Sequence, residues 1–218
     1  MRILILGATG RTGKLILEEA LNQDYEVNCL VREPKKIKVN HKKLKILKGS
    51  PVQISDLETA ITDCKGIISA LNISRKSDFP WSTLRTSPTF LSDVIGNIVS
   101  LNDKNRPKRI VVCSAWGVAE SKKEIPFWFN WLIKNSNIGV AYKDHERQEI
   151  ELKKSKLDWT VVRPTGLTNF KNHKKVMESY DNEPKPKLTI SRKNVAKFMV
   201  NALKRDELIG QTPVISEY

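Results

Sequence analysis

The sequence predicts an α/β fold: a single Rossmann-like, doubly wound parallel sheet with short loops and helices on the substrate side. Short apolar runs rich in Ile, Val and Leu alternate with segments of helical period along most of the chain, as in repeated βαβ units. A glycine-rich turn joins the first run to the first helical segment. Because 218 residues can form one sizeable core but rarely two, we expect a single domain over residues 1–218.

The expected strands and helices alternate in chain order. Strands are predicted at residues 2–6, 26–31, 44–47, 66–71, 109–113 and 159–162. Runs that are apolar throughout are typical of strands buried on both faces of a parallel sheet. Helices are predicted at residues 12–22, 56–62, 90–105, 143–154 and 195–204. The stretch beginning at Ser55 is expected to cap the second helix and Ser191 the last. Three irregular segments, residues 79–85, 125–138 and 169–187, are predicted to form loops and short helices at one end of the sheet.

The composition favours a folded protein of a reducing compartment. No apolar run approaches the roughly 18–20 residues of a membrane-spanning helix, so we expect no membrane partner. Only four apolar residues separate Arg2 from Gly7, which is too few for a signal peptide. Three cysteines without paired spacing suggest neither a disulfide framework nor a zinc site. These features predict a cytoplasmic location.

The chain is strongly basic, with 38 Lys and Arg against 24 Asp and Glu and a formal net charge of +14. Such a charge raises the question of a nucleic-acid partner. The basic residues are scattered over several segments and are not interleaved with aromatic residues that could stack on bases. The pattern therefore favours a solvated, lysine-rich surface over nucleic-acid binding.

The strongest functional signal is the turn Gly7-Ala8-Thr9-Gly10-Arg11-Thr12-Gly13, which follows a predicted strand and opens a predicted helix. Gly7 allows a tight turn, Gly10 lets the backbone approach a pyrophosphate, and Gly13 permits close packing of helix on strand. The helix N-terminus offers unpaired N–H groups and a positive dipole to the phosphates. Its predicted cofactor-binding residues are Gly7, Thr9, Gly10, Arg11, Thr12 and Gly13.

Arg32 indicates which dinucleotide would bind. It ends the second predicted strand about 20 positions after Gly13, where an NAD-binding site usually carries a carboxylate for the ribose 2′-hydroxyl. A guanidinium suits a 2′-phosphate instead. The sequence therefore predicts NADP(H) rather than NAD(H) as cofactor.

The residues of a typical short-chain dehydrogenase are only partly present. None of the four tyrosines is followed four positions later by a lysine, so the usual Tyr/Lys proton-transfer pair is missing. Ser114 is the best candidate to contact a ligand, because a hydroxyl at the C-terminal end of a strand faces the crevice of an open α/β sheet. Tyr142 and His145, at the start of the next long helix, are the other catalytic candidates, and His145 has a reference pKa near neutrality.

The chain resembles the atypical short-chain dehydrogenase/reductase family, especially its NmrA-like and biliverdin IXβ/flavin reductase branch. The residues that carry the resemblance are the glycine turn at 7–13, Leu30-Val31-Arg32, residues 111–115, Asp144-His145, residues 157–164 and Ile190-Ser191-Arg192. The resemblance implies that Ser114 faces the nicotinamide and that Leu71 and Asn72 line the cofactor cleft. It also implies that Pro164 and Thr165 pass near the nicotinamide amide.

Two departures from the family pattern weaken the match at particular contacts. The family has an aspartate near the adenine after a glycine, and this chain has Ser50 after Gly49 at that place. Flavin and biliverdin reductases have a histidine soon after the proline of the sixth strand, where this chain has Thr165 and Gly166.

Together these features predict an NADP(H)-binding oxidoreductase that passes hydride to a flavin, a quinone or a similar conjugated acceptor, with the proton taken from solvent. The partner is then a small molecule, and the protein is a monomer or a weak homo-oligomer. A non-enzymic NmrA-like regulator that binds NADP is the main alternative, and a sugar-nucleotide epimerase is disfavoured by the missing Tyr/Lys pair. Trp81, Phe127, Trp128 and Trp131 fit either an apolar substrate wall or plain core or lid packing.

Overall fold

The computed structural model describes residues 1–101, 107–170 and 174–218. Its strands are β1 (Arg2–Leu6), β2 (Glu26–Val31), β3 (Leu44–Lys48), β4 (Gly66–Ser69), β5 (Arg109–Cys113), β6 (Asp158–Pro164), β7 (Gly166–Thr168), β8 (Val176–Ser179), β9 (Thr189–Ser191) and β10 (Val214–Glu217). Its α-helices are α1 (Arg11–Asn22), α2 (Ile54–Ile61), α3 (Phe90–Ser100), α4 (Phe127–Lys134), α5 (Ile138–Lys154) and α6 (Arg192–Ala202).

Eight strands of the described residues form one sheet in the order β3-β2-β1-β4-β5-β6-β10-β8. Neighbouring strands are parallel except for β8, which runs antiparallel to β10. Strands β7 and β9 form a separate parallel pair. The chain reverses its direction of travel across the sheet between β1 and β4, so the predicted doubly wound, Rossmann-like fold is confirmed.

The core lies on both faces of the sheet because successive strand side chains point to opposite sides. In β1, Ile3 and Ile5 pack in the cluster that contains the buried residues of α1 and α6. Leu4 and Leu6 pack in the cluster on the other face, with residues of α2, α3 and α5. This three-layer arrangement buries β1 on both sides and explains its uninterrupted apolar sequence. None of the helices in the described ranges is both long and apolar enough to cross a bilayer.

Several predicted boundaries differ from the structure. Helix α2 begins at Ile54, so the cap predicted from Ser55 is wrong, and the Asp56 carboxylate instead accepts a hydrogen bond from the Ser50 N–H at 2.9 Å. Strand β4 ends at Ser69, two residues early, because the backbone of Ala70 turns to pass over Gly7. Helix α3 ends at Ser100, and residues 102–105 of the helix predicted there lie outside the described residues.

The segments predicted to form loops and short helices contain a strand as well. Helix α4 is a short helix within residues 125–138, in line with the prediction, whereas α5 starts at Ile138, five residues before its predicted start. Phe127, Trp128 and Trp131 of α4 face solvent, whereas Phe129 and Ile133 pack against the core. Strand β8 forms within residues 169–187, of which residues 171–173 lie outside the described part. The predicted cap of α6 is confirmed, since the Ser191 hydroxyl accepts a hydrogen bond from the Asn194 N–H.

Helices α3 and α5 are joined by a buried carboxylate. Asp144 of α5 is fully buried and accepts hydrogen bonds from the Leu91 N–H and the Ser92 hydroxyl, both at 2.6 Å. The Leu91 N–H belongs to the first turn of α3, where backbone N–H groups have no partner within the helix. Asp144 therefore acts as the cap of a helix that is distant in sequence.

We expect Asp144→Asn to lower the free energy of unfolding by about 2–3 kcal/mol, because an amide nitrogen would face one of the two donors and the charge would be lost. Chemical denaturation measures the loss. Asp93→Asn is the matched control. Asp93 lies in the first turn of α3, but its side chain is exposed and accepts a hydrogen bond from the Thr89 hydroxyl. Equal losses in the two variants would show that the buried hydrogen bonds of Asp144 add no more to the free energy of unfolding than the exposed contact of Asp93 does.

Candidate functional site

A cleft with a volume of about 1010 Å³ lies at the carboxyl ends of the strands. The residues that line it come from the glycine turn, the end of β2, and the chain that follows β4. Strands β1 and β4 are the neighbours at which the strand order reverses. Open α/β sheets bind their ligands at this point, because the two connecting chains leave the sheet in opposite directions and open a crevice.

Close backbone packing forms the floor of the cleft. Gly7 has φ +83°, which is a left-handed conformation, and a Cβ there would lie 2.7 Å from the Ala70 carbonyl oxygen. A Cβ on Gly13 would lie 2.0 Å from the Gly7 carbonyl oxygen, so α1 packs against the turn with no space for a side chain. The role predicted for Gly13, packing rather than lining, agrees with this position.

The N-terminus of α1 opens into the cleft without an acceptor from the protein. Its first flanking residue is Gly10, no side chain caps it, and its first turn contains no acidic residue. Unsatisfied N–H groups and the positive end of the helix dipole therefore face the cleft. This end is suited to bind an anion such as a pyrophosphate.

The side chains around the cleft are strongly cationic. Nine lining side chains are cationic, and one, that of Asp78, is a carboxylate. The cationic residues are Arg11, Lys14, Arg32, Lys35, Lys36, Lys38, Arg75, Lys76 and Arg192. The buried Nε of Arg75 has no hydrogen-bond partner among the described residues. A low-dielectric cleft lined by one sign of charge attracts ligands of the opposite sign. The site therefore favours an anionic ligand with charge at more than one point.

Arg32 lies at the β2 end of the cleft and is exposed, with no hydrogen bond to another described residue. The neighbouring carboxylate of Glu33 binds Lys36 at 2.6 Å, and this hydrogen bond and charge lower the pKa of Glu33. The Arg32 guanidinium is thus the free group at this position.

Arg11 and Asp78 form an ion pair across the cleft, with Nη–Oδ distances of 2.8 and 3.0 Å. Arg11 begins α1, whereas Asp78 belongs to the loop after β4. Both side chains are exposed, so the pair adds little to stability. A phosphate near the α1 N-terminus can compete with Asp78 for Arg11.

Ser114 lies behind the cleft rather than on its wall. It is buried, and its hydroxyl donates a 2.6 Å hydrogen bond to Oε1 of Glu149. Glu149 also accepts hydrogen bonds at both oxygens from Arg163, which donates to Glu120 at 2.8 Å. Burial alone would raise the pKa of Glu120, but the hydrogen bond from Arg163, a backbone hydrogen bond and the charges of Arg163 and Lys153 together lower this pKa to about 2. Ser114 therefore belongs to a buried ionic network at the ends of β5 and β6.

The other two candidate catalytic residues also make internal hydrogen bonds. Tyr142 donates to the Trp116 carbonyl at 3.2 Å, and burial raises the pKa of its phenol. Tyr142 lines a separate pocket of about 240 Å³ beside α4. His145 is buried against Gln148, and the His145 Nδ1 lies 2.7 Å from the Gln148 Nε2. Burial lowers the pKa of His145 to about 4. Neither residue lines the large cleft.

The remaining predicted residues divide in the same way. Those that line the cleft are Gly7, Thr9, Gly10, Arg11, Thr12, Arg32, Leu71 and Asn72. Pro164 and Thr165 lie at the end of β6, where the buried Thr165 hydroxyl has no hydrogen-bond partner among the described residues. Sequence reasoning missed Asp78, Arg75 and Arg192 as cleft residues. Charge was the only signal for Arg75 and Asp78, in a chain with 28% charged residues, whereas Arg192 belongs to a segment that carries the family resemblance.

Comparisons with known proteins agree with this site. A model of the NAD(P)H-binding family matches residues 7–206. An uncharacterized chloroplastic protein of Arabidopsis thaliana is 28% identical over an alignment that covers 94% of this chain and 73% of that protein. A solved short-chain dehydrogenase/reductase from Veillonella parvula in complex with NADP has a TM-score of 0.79 at 18% identity, covering 99% of this chain and 94% of that one. The anaerobillin reductase ChuY from Escherichia coli O157:H7 has a TM-score of 0.79 at 19% identity, covering 100% of this chain and 97% of that one.

The family match includes the glycine turn, β2 with Arg32, and all of α6. Below 20% identity the solved structures establish the fold alone, and their fold is the one described above. The NAD(P)-binding family that the resemblance implied is confirmed by the family model. The chain belongs to the NAD(P)H-binding family.

Proposed function

We propose that this protein is an NADPH-dependent reductase that transfers hydride to a conjugated acceptor such as a flavin, a quinone or a tetrapyrrole. The observation that carries the proposal is the cationic cleft above the glycine turn, in which an uncapped helix N-terminus and a free arginine stand ready for separate phosphates. The NADP complex of the Veillonella parvula protein and the reductase activity named for ChuY support the assignment.

Different residues of the cleft bind different parts of the dinucleotide. The first turn of α1 and Gly10 hold the pyrophosphate through backbone N–H groups. Arg32 binds the 2′-phosphate with a fork of donors, and Lys35 and Lys36 add charge around it. Leu71 and Asn72 form the wall toward β4. The bound nicotinamide supplies the hydride, and the protein contributes orientation and an electrostatic environment.

The proton required after hydride transfer comes from solvent in this proposal. The hydroxyls of Ser114 and Tyr142 each donate a hydrogen bond inside the protein, and His145 is neutral at pH 7 because burial lowers its pKa. A conjugated acceptor tolerates this arrangement, because its reduced anion is delocalised and can be protonated by water.

Oxidation of NADPH, followed at steady state with a panel of flavins, quinones, a linear tetrapyrrole and simple aldehydes, tests the proposal. We expect turnover with at least one conjugated acceptor and none with the aldehydes, which need a positioned proton donor. Saturable NADPH binding without turnover of any acceptor would instead support the alternative of a regulator that binds NADP. That alternative is favoured by the internal hydrogen bonds of all three candidate catalytic residues.

Arg32→Asp should weaken NADPH binding by about 2–4 kcal/mol and leave NADH binding unchanged or stronger, because attraction to the 2′-phosphate becomes repulsion. Calorimetric titration at low and high salt measures both affinities, and the difference should shrink at high salt. Lys197→Asp is the control, since Lys197 is exposed on α6 away from the cleft and gives the same change in net charge. Equal wild-type affinities for NADH and NADPH would exclude Arg32 as the phosphate ligand.

The buried, neutral state of His145 predicts a dependence of stability on pH. The pKa of His145 is lowered from 6.5 to about 4, so between these pH values the unfolded chain takes up a proton that the folded chain does not. Stability contributed by this group is present above pH 6.5 and is lost as the pH falls to 4, by about 3 kcal/mol.

Denaturation curves at pH 7 and pH 4 should therefore show a smaller loss for His145→Gln than for the wild type, because the glutamine does not titrate. His41→Gln, a change at a half-buried histidine outside the cleft, should behave as the wild type does. Parallel pH dependences of wild type and His145→Gln would mean that folding does not lower the pKa of His145.

A further inference from the structure

Five of the exposed aromatic side chains outside the cofactor cleft belong to α4 and to the loop after β4. They are Phe127, Trp128 and Trp131 of α4 and Phe79 and Trp81 of the loop after β4, here called the aromatic face. Their exposed fractions run from 46% to 85%, and none of them lines the cleft. Aromatic residues rarely stay exposed in such number without a partner. The aromatic face therefore calls for a function of its own.

The aromatic face is held together by specific contacts. The Trp81 indole donates a 2.7 Å hydrogen bond to the carbonyl of Asn135, the residue after α4. The Asn137 amide donates to the Trp81 carbonyl at 2.9 Å. Phe79 packs on Trp81, with ring centroids 5.3 Å apart. The loop is thus pinned to the end of α4, so Phe79 and Trp81 lie beside the helix that exposes the other three rings.

Lysines lie beside helix α4, around a pocket that none of the five rings lines. Lys134 ends α4, and Lys122 and Lys143 join it around the 240 Å³ pocket that lies against the helix. That pocket has one carboxylate on its wall, from Glu146. Lys122, Lys134 and Lys143 make no ion pair with any described residue, so their charge is available to a partner. Bulky aromatic rings beside uncompensated lysines are the pattern of surfaces that lie on anionic bilayers.

We propose that the aromatic face docks the protein on an anionic membrane surface, with the rings in the headgroup region and the lysines on acidic headgroups. A second copy of this chain fits less well, because a two-fold contact would bring like-charged lysines together in a protein of net charge +14. A protein partner fits less well because lysine is depleted and arginine enriched in such interfaces. The sequence-based expectation of no membrane partner rested on the lack of a spanning segment, which peripheral docking does not require.

Docking through this face would bring the cofactor cleft close to the bilayer. Asp78 and Lys76 line the cleft, and Phe79 follows Asp78 in the same loop. Helix α4 follows β5, whose carboxyl end lies on the cleft side of the sheet. The proposal does not depend on the reductase activity, and its test uses no turnover.

Co-sedimentation with vesicles tests the proposal, using phosphatidylcholine alone and phosphatidylcholine with about a third phosphatidylglycerol. The wild type should bind the anionic vesicles at least about tenfold more strongly than the neutral ones, and high salt should weaken the binding. A triple variant with Phe127→Ser, Trp128→Ser and Trp131→Ser should lose binding about tenfold or more while its NADPH affinity stays unchanged. A double variant with Lys122→Glu and Lys134→Glu should lose the preference for anionic vesicles.

Matched controls separate docking from general stickiness and charge. Ile54→Ser with Ile150→Ser removes two exposed apolar side chains from α2 and α5, and should leave binding intact. Lys65→Glu with Lys156→Glu changes the charge at the amino ends of β4 and β6, far from the aromatic face, and should reduce binding much less. Wild-type protein that fails to sediment, or aromatic and control variants that lose binding equally, would overturn the proposal. A dimer in light scattering that the triple variant dissociates would assign the aromatic face to a second copy instead.

Discussion

The contact between Gly13 and the Gly7 carbonyl determines the rest of the site. Because neither glycine carries a Cβ, α1 starts directly above the end of β1, and its first N–H groups point into the crevice between β1 and β4. Any side chain at Gly13 would push the helix away from the sheet and would move that dipole with it. The position of the cleft at the end of β1 and the direction of its positive field follow from this packing.

The positive charge of the cleft favours anionic ligands. Nine cationic side chains and a helix N-terminus face a space with one carboxylate, and that carboxylate already pairs with Arg11. Asp78 offsets part of the repulsion among these cations. A ligand with several phosphates offers stronger and more numerous partners than one exposed carboxylate does, since ion pairs at a solvated surface contribute little. The cleft is thus arranged to bind anions without a large rearrangement of its floor.

Behind the cleft, polar groups serve the fold. Ser114, Glu149 and Arg163 satisfy one another in the interior, where an unpaired charge would be costly. Asp144 on the same helix caps α3, and His145 stays neutral against Gln148. Helix α5 therefore uses the polar side chains of its buried face to tie β5, β6 and α3 together. This explains how residues of types common in catalysis can lie close to a cofactor site and yet be engaged elsewhere.

The sequence by itself determined the order of strands and helices around β1, β2 and β5 and the position of the glycine turn, because these depend on local periodicity and on residues adjacent in the chain. It also placed Arg32 at the end of β2, since the spacing from Gly13 is a local property.

Only the tertiary structure decided that Arg75, Asp78 and Arg192 share a cleft with Arg11, and that the Ser114 hydroxyl turns to Glu149. It also decided that Phe127, Trp128 and Trp131 of α4 face solvent while Phe129 packs against the core. Each of these outcomes depends on which side chains meet across long sequence separations, and residue type and spacing do not encode that. The same limit accounts for the missed cap of α2, where a contact from Ser50 to Asp56 replaced the one expected from Ser55.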